Sequence, residues 1–406
     1  MRVCSAPINL SSPITIYRHN PFFFLLPPPN KTSFTTNTFC CHKQNYSLPH
    51  LNNKHTHSKF NANLSACEAQ LCPDDFLVVN FYRFVSISDP KAEVAKHLAF
   101  LKDLDIYGRI YLNEQGINAQ YSGPSKDAVA YVEWIKEDLR FCDIEVQISP
   151  APNGHAFPKL KLRYKPSLVQ MEGGTAHLPL LDPAMRATPL TPSEWRKRLD
   201  KVRPDDVVLD VRNGYEWDIG HFVSAQRPHT ECFRTTSCDP LATADRNTTD
   251  IFMYCTGGIR CDVYSIILRK QGFRNLYTLM GGVSNYLNQE GPGQTQWVGN
   301  LFVFDHRLSL PPSAYNPHAT AVQLPQKFAN CYVCGSHVYD LKHRNCANLD
   351  CNLLFLCCID CLKDFKGCCC IKCTTAPRLR PLLPSSHRYE KWHIYRELEE
   401  QINVTV

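Results

Sequence analysis

The sequence predicts a multi-domain α/β chain with a small metal-binding module appended. Three observations carry that reading. Residues 76–148 follow the order β-α-β-β-α-β, and residues 191–279 alternate short apolar strands with amphipathic helices. Eleven of the 21 cysteines then fall between Cys331 and Cys373.

Phe76-Leu-Val-Val-Asn-Phe-Tyr-Arg-Phe-Val85 reads as a buried strand, and Pro90 opens a helix with apolar Val94, Leu98 and Leu101. Arg109–Leu112 and Gly116–Tyr121 make two strands around the turn Asn113-Glu-Gln-Gly116. A second helix spans Pro124–Leu139, with Val129, Val132 and Ile135 at helical spacing, and Ile144–Ile148 closes the unit. This order is the split βαβ, ferredoxin-like arrangement, expected over residues 74–150. Residues 151–189 read as a linker that carries one basic strand. Its alternation sets Lys159, Lys161, Arg163 and Lys165 on one face. Lysines guarding a strand edge explain that face. A contact with a phosphate backbone, which makes the four residues RNA-binding candidates, is the sharper alternative.

The second unit, residues 190–296, starts at Thr191-Pro-Ser-Glu-Trp195, a capping hydroxyl followed by Pro in the first turn. Val207–Val211, Ile251–Tyr254 and Asn275–Leu279 are its strands, and a helix with Val263, Ile266 and Ile267 stops near Gly272. Strands alternating with helices imply a parallel sheet covered on both faces. Cys255-Thr-Gly-Gly-Ile-Arg260-Cys261 lies between a strand and that helix, at the carboxyl end of the sheet, where open α/β folds hold ligands. Gly257 and Gly258 let the backbone curl so that successive amides converge on one point. The helix directs its positive end at the same point. A thiol there should have a depressed pKa, and a persulfide or sulfenate on it would be stabilised by the same amides. A lone Cys in such a turn would more often be structural; the glycine curl, the helix end and Arg260 together favour a reactive thiol. Cys261 reads equally as a resolving thiol or as a small residue in the first helical turn.

Composition bounds what else the chain could be. Met1–Cys67 hold six Lys or Arg and no acid, so the formal charge of +6 belongs to that segment and leaves 38 basic against 38 acidic residues. The rest is neutral and offers no case for a DNA-coating protein. Residues 1–67 have the composition of an organelle transit peptide, expected to be disordered. Lys outnumbers Arg there, which favours the chloroplast over the mitochondrion; an untargeted disordered extension is the plain alternative. The longest apolar run near the start, Phe22–Leu26, is far short of the roughly 18 residues a membrane span requires, so no membrane partner is expected.

After a linker over residues 297–330, the block over 331–375 reads Cys331-x2-Cys334-x11-Cys346-x4-Cys351-x6-Cys358-x2-Cys361-x7-Cys369-x3-Cys373. Two C-x2-C knuckles and two looser pairs fit two structural thiolate zinc sites. An interleaved division puts Cys331, Cys334, Cys358 and Cys361 on one ion and Cys346, Cys351, Cys369 and Cys373 on the other, with Cys357, Cys368 and Cys370 spare. Disulfides and an iron–sulfur cluster are the competing readings. In the tail, residues 376–406, Arg378, Arg380, Arg388, Lys391 and Arg396 interleave with Tyr389, Trp392 and Tyr395. That pattern could support RNA contact, but Glu397, Glu399 and Glu400 follow, as in an amphipathic helix packed on the body.

Several of these strings resemble a known family. Cys255–Arg260 has the form of the six-residue rhodanese loop, and Asp210-Val-Arg212 and Glu216-Trp-Asp-Ile-Gly-His221 resemble elements that precede it in rhodanese domains. Gly108-Arg-Ile-Tyr, Glu114-Gln-Gly-Ile-Asn118, Gly281-Gly-Val-Ser-Asn-Tyr286 and Phe302-Val-Phe-Asp305 extend the resemblance, so that most of 76–310 is similar to the rhodanese-containing tRNA uridine hydroxylase family. The resemblance implies oxygen-dependent 5-hydroxylation of wobble uridine 34, with tRNA as partner, molecular oxygen as co-substrate and Cys255 as the essential thiol. It makes Thr256, Gly257, Gly258, Ile259, Arg260 and Cys261 the active loop. Asp210 and Arg212 would brace it, although Asp210 also fits a strand-end cap. Glu216 belongs to the supporting set, and His221 reads as an anchor for the turn after Gly220 rather than a base. Between His221 and Ile251 the chain departs from the pattern, with Pro228, Pro240, a polar run, Cys232 and Cys238, which implies a shortened or rearranged wall. A sulfurtransferase drawing on a small sulfur donor is the second reading, and a non-catalytic redox or scaffold protein the third.

Overall fold

The computed structural model describes residues 75–227, 233–235, 241, 243–290, 296–316, 329–339 and 343–380. The expected leader, Cys232, Cys238, Pro228, Pro240 and the tail beyond Arg380 lie outside them. Among the described residues no helix is long and apolar enough to cross a membrane.

The first unit is β1 (Phe76–Phe84), α1 (Pro90–Leu101), β2 (Tyr107–Asn113), β3 (Gly116–Pro124), α2 (Ser125–Lys136) and β4 (Gln147–Pro150). Its sheet order is β4-β1-β3-β2-β5, the split βαβ arrangement with one strand added. That strand, β5 (Leu160–Tyr164), runs parallel to β2 and comes from the stretch read as a linker. Further along the same stretch Leu168, Leu178 and Leu180 are buried in the core of the next unit, so this segment is packed on both sides. Alternation marks it as a strand, but which sheet it joins is not readable locally, because its partner lies some fifty residues away.

Alternation divides the sheet cleanly. Val79, Phe81, Ile110, Leu112, Ala119 and Leu162 pack against the two helices. Their neighbours Asn80, Tyr82, Arg109, Tyr111, Gln120 and Lys161 point to the other face. α1 sits differently from its apolar spacing: Glu93, His97 and Leu101 are buried, while Leu98 is exposed. Polar partners explain the rotation. His97 Nδ1 lies 2.6 Å from the Tyr131 hydroxyl, and Arg140 donates to Glu93 at 2.8 Å.

The second unit has a four-stranded parallel sheet, β6-β10-β9-β7, built from Thr188–Leu190, Asn275–Leu279, Asp250–Tyr254 and Val207–Asp210. Its first helix, α3 (Pro192–Leu199), opens with the expected Thr191 cap, and Glu194 completes a capping box. Leu209, Ile251, Met253 and Ile266 form the core on one face. Trp195, Val208, Phe252, Tyr254, Val283 and Tyr286 form it on the other. A short helix α4 (Gly214–Trp217) and β8 (Gly220–Phe222) follow β7; β8 pairs antiparallel with β11 (Trp297–Gly299). The helix after β9 is α5 (Ile259–Lys270), and the helix after β10 is α6 (Gly282–Gln289).

Beyond β11 come two small hairpins, β12–β13 (Leu301–Phe302 with Ser309–Leu310) and β14–β15 (Arg344–Asn345 with Leu354–Phe355). Two short helices, α7 (Ile359–Asp364) and α8 (Ile371–Thr374), complete the cysteine-rich module. Its interior is largely sulfur, with Cys346, Cys368, Cys369 and Cys373 buried around Ala347 and Phe355.

Candidate active site

Cys255 directly follows β9, and the chain curls through Thr256, Gly257 and Gly258 into α5. The Gly258 N–H donates to Cys255 Sγ at 3.1 Å. Gly258 has φ +100°, which demands glycine, and a Cβ there would stand a tight 3.0 Å from the Tyr82 hydroxyl. The loop carbonyls are held from behind: Val283 and Ser284, at the start of α6, donate to the oxygens of Cys255 and Thr256 at 3.0 and 3.1 Å. The otherwise unpaired first amides of α6 thus turn those carbonyls away from the sulfur. Gly282 permits the approach, since its Cβ would lie 2.5 Å from the Thr256 oxygen.

The thiol is almost fully buried. Burial alone would push its pKa up. The Cys261 thiol, the Arg260 charge and the amides of Cys261 and Gly258 outweigh it and hold Cys255 down to about 6. Cys261 is shifted the opposite way, well up, by burial and by the neighbouring Cys255. It therefore stays a thiol and serves as a donor, a role the spacing did not single out.

Arg260 is held in turn by Glu216, donating from both guanidinium nitrogens at 2.6 and 2.9 Å. Glu216 also accepts from the Thr256 hydroxyl at 3.0 Å and from the Asn213 amide at 3.0 Å. Burial would raise its carboxyl, but Arg260 keeps the pKa below the ordinary value. Asp210 and Arg212 form a second buried pair at 2.6 Å, and Arg212 donates to the Gly220 oxygen at 2.6 Å while lying between the rings of Tyr254 and Trp297. The pair fastens the strand end to β8 and does not line the cleft. His221 stacks on Trp217 at 3.7 Å, and its Nδ1 faces the Trp217 oxygen at 3.0 Å. Burial lowers its pKa, and it too stands away from Cys255.

Cys255, Thr256, Gly257, Ile259 and Arg260 line a cleft of about 1100 Å³. Its opposite wall is the helix-free face of the first sheet. Three bonds join the two walls: Tyr82 to Asp262 at 3.1 Å, Gln147 Nε2 to the Gly257 oxygen at 3.2 Å, and Asn285 to Glu145 at 2.8 Å. Lys159, Lys161 and Lys165 line the cleft, and so do Arg109, Arg234 and Arg307, against the carboxylates of Glu172 and Asp305. Arg163 sits beside Tyr111, 5.7 Å from the ring centre, and is exposed. Three of the four residues of the basic face thus line the cleft that Cys255 also lines, on a strand that forms the edge of the sheet. Arg109, Gln147, Tyr82 and Phe304 were not anticipated as site residues. The Phe304 ring centre lies 5.4 Å from the Arg260 guanidinium carbon.

The cysteine module resolves into two groups of four. Cys331, Cys334, Cys358 and Cys361 form one, and Cys346, Cys351, Cys369 and Cys373 the other, with all sulfurs of a group within 4.8 Å of one another. These are the two interleaved sets that the spacing implies. Sulfur pairs stand 3.7–3.9 Å apart, and none of the fourteen described cysteines is in a disulfide. Thiolates about 2.3 Å from a tetrahedral ion would be separated by about 3.8 Å. Both groups could hold a metal ion, and their chemistry is compatible with zinc.

Residues 76–168 match the UPF0176 acylphosphatase like domain, 191–289 the rhodanese-like domain and 298–374 the rhodanase C-terminal family. The chain is 62% identical over 365 residues to rhodanese-like domain-containing protein 8, chloroplastic, of Arabidopsis thaliana, which covers 81% of each chain. It is 39% identical over 310 residues to a tRNA uridine(34) hydroxylase of Protochlamydia amoebophila, covering 75% of this chain and 90% of that one. The corresponding protein of Chlamydia pneumoniae is 38% identical over 314 residues, or 75% and 89%. The similarity thus spans 81–90% of these relatives' own lengths, and the chain belongs to the tRNA uridine(34) hydroxylase family of rhodanese-domain proteins.

Proposed function

We propose that this protein hydroxylates C5 of the wobble uridine of tRNA, using molecular oxygen, with Cys255 as its working thiol. The observation that carries the reading is the placement of that thiol: a sulfur with its pKa near 6 lines a broad cleft that Arg109, Lys159, Lys161 and Lys165 also line. A nucleotide with its phosphates fits such a cleft, and the cations supply the sequence-independent attraction that RNA binding requires. The relatives named as tRNA uridine(34) hydroxylases support the substrate. Thr256 through Cys261 form the cradle of the thiolate, Glu216 positions Arg260, and Asp210, Arg212 and His221 keep the loop's foundation rigid. Lys159, Lys161, Arg163 and Lys165 take phosphates. Zinc in the two cysteine groups folds the C-terminal module, whose Asn345 and Asn352 reach the cleft. The name of the Arabidopsis relative supports a chloroplast location, with residues 1–67 as the address.

Transfer of one oxygen atom from O2 to uracil sends the other to water and consumes two electrons and two protons, so a reductant takes part. The decisive experiment compares tRNA from cells lacking the gene with tRNA from cells complemented by wild type or Cys255→Ser. Nucleosides derived from 5-hydroxyuridine should vanish in the deletion and return only with wild type; unchanged levels would refute the reading. The same thiolate cradle suits sulfur transfer from a small donor, which is the second reading. Thiosulfate:cyanide turnover that depends on Cys255, together with unaltered tRNA, would favour it.

A further inference from the structure

The helix-free face of the first sheet carries a row that strand-by-strand inspection does not reveal. In register, Gln147 pairs with Asn80, Asn80 with Gln120, Gln120 with Arg109, and Arg109 with Lys161. One residue comes from each strand in the spatial order β4-β1-β3-β2-β5, and all five line the cleft. Strands about 4.8 Å apart give the row a length of about 19 Å. Three amides stand at the end nearest Cys255 and two cations at the other.

The amide end is bonded to the active loop. Gln147 Nε2 donates to the Gly257 oxygen at 3.2 Å, two residues from Cys255. With that nitrogen committed, Gln147 offers its carbonyl Oε1 to a ligand. A Cβ on Gly257 would lie 3.2 Å from Oε1, so the glycine keeps the adjoining space open. Asn80 and Gln120 make no side-chain hydrogen bond with any described residue and keep their donors and acceptors for a ligand.

We infer that this row is a reading strip for a short single-stranded RNA segment, and that Gln147 selects uracil over cytosine beside Cys255. The inference rests on the proposed function and adds a basis for its pyrimidine specificity. Uracil presents an N3–H that a fixed carbonyl oxygen accepts; cytosine presents a lone pair at N3, which the same oxygen repels. Asn80 and Gln120 have the two-sided hydrogen bonding that suits the edges of the neighbouring bases. Arg109 and Lys161 stand where the backbone phosphates of those bases leave the cleft. A polar row that merely met water would have no need to run from the thiol loop to the basic edge, nor to fix one amide against that loop.

The test is binding of two synthetic anticodon stem-loops, with uridine or cytidine at the first anticodon position, to the full chain by fluorescence anisotropy. Wild type should prefer uridine about tenfold. Gln147→Ala should reduce that ratio to near one. Asn80→Ala and Gln120→Ala should weaken both RNAs by about tenfold each. Arg109→Gln should weaken both and lower the salt dependence of binding by about one phosphate contact. Cys255 alkylation and the unfolding midpoint, measured in each variant, separate loss of the row from damage to the fold or loop, and Asn80→Ala and Gln120→Ala, which touch no loop residue, test the row when Gln147→Ala disturbs the loop. Variants that bind both RNAs as wild type does, with the uridine preference kept, overturn the inference while tRNA hydroxylation by wild type leaves the function standing. Wild type that neither binds the stem-loops nor restores 5-hydroxyuridine overturns both.

Discussion

Cys255 sits where two opposed effects meet, and the balance is readable in its chemistry. Removing a thiolate from water disfavours it, while one positive side chain, one thiol donor and two amides favour it. Alkylation of the Cys255 peptide should therefore rise with pH around a midpoint of about 6, well below an ordinary thiol at about 8.5. Cys261→Ala should move that midpoint upward, whereas Cys261→Ser, which retains a donor, should move it less; peptide-resolved mass spectrometry of the alkylated protein measures both. Glu216 works at one remove. Glu216→Gln leaves the Arg260 guanidinium buried beside a neutral partner and should destabilise the protein by about 3–5 kcal/mol, read from denaturant unfolding. The loop was legible in the sequence because its chemistry is contiguous: nucleophile, two glycines and Arg260 occur within six residues. Cys261 was legible as a residue but not as a donor, since nothing local says which of two neighbouring thiols ionises.

At the scale of elements, the loop is shaped from outside. The start of α6 pulls its carbonyls back through Val283 and Ser284, and Gly282 makes room for that contact. Gly282→Ala would bring a methyl within 2.5 Å of backbone at a φ of +65°. We expect a loss of about 1–3 kcal/mol in stability and a rise in the Cys255 alkylation midpoint as the cradle opens. α1 contributes a separate, pH-linked term. Burial lowers the pKa of His97 to about 4, below the value near 6.5 expected in the unfolded chain. The unfolded state thus binds the proton more readily, and stability present above pH 6.5 is lost as pH falls towards 4, by about 3 kcal/mol in all. His97→Gln should flatten that part of a stability profile measured by urea unfolding. Element types and order were legible from periodicity, but the rotation of α1 was not. Its apolar spacing pointed Leu98 inward, and the buried Glu93–His97–Tyr131 network turned it out.

For the whole molecule, two units and a sulfur-rich module converge on one cleft. Arg307, beyond β12, donates to Ser149 and the Pro150 oxygen at 2.9 and 2.8 Å, tying the C-terminal region to the first sheet. If the two cysteine groups hold zinc, elemental analysis should find two ions per chain. Stripping them with a chelator should unfold the module and weaken RNA binding, while the far-UV signal of the two larger units persists. The two groups of four were legible because knuckle spacing is a local property. The amide row was not: Asn80, Gln120 and Gln147 are ordinary polar residues at alternating positions, and only cross-strand register makes them neighbours.

The bond from Gln147 to the Gly257 oxygen has a wider consequence. One rim of the rhodanese cup belongs to a different domain, so the shape of its mouth is set by how that domain's sheet meets the loop. A molecule that enters the cleft therefore meets side chains of the sheet as well as those of the loop, since both line it.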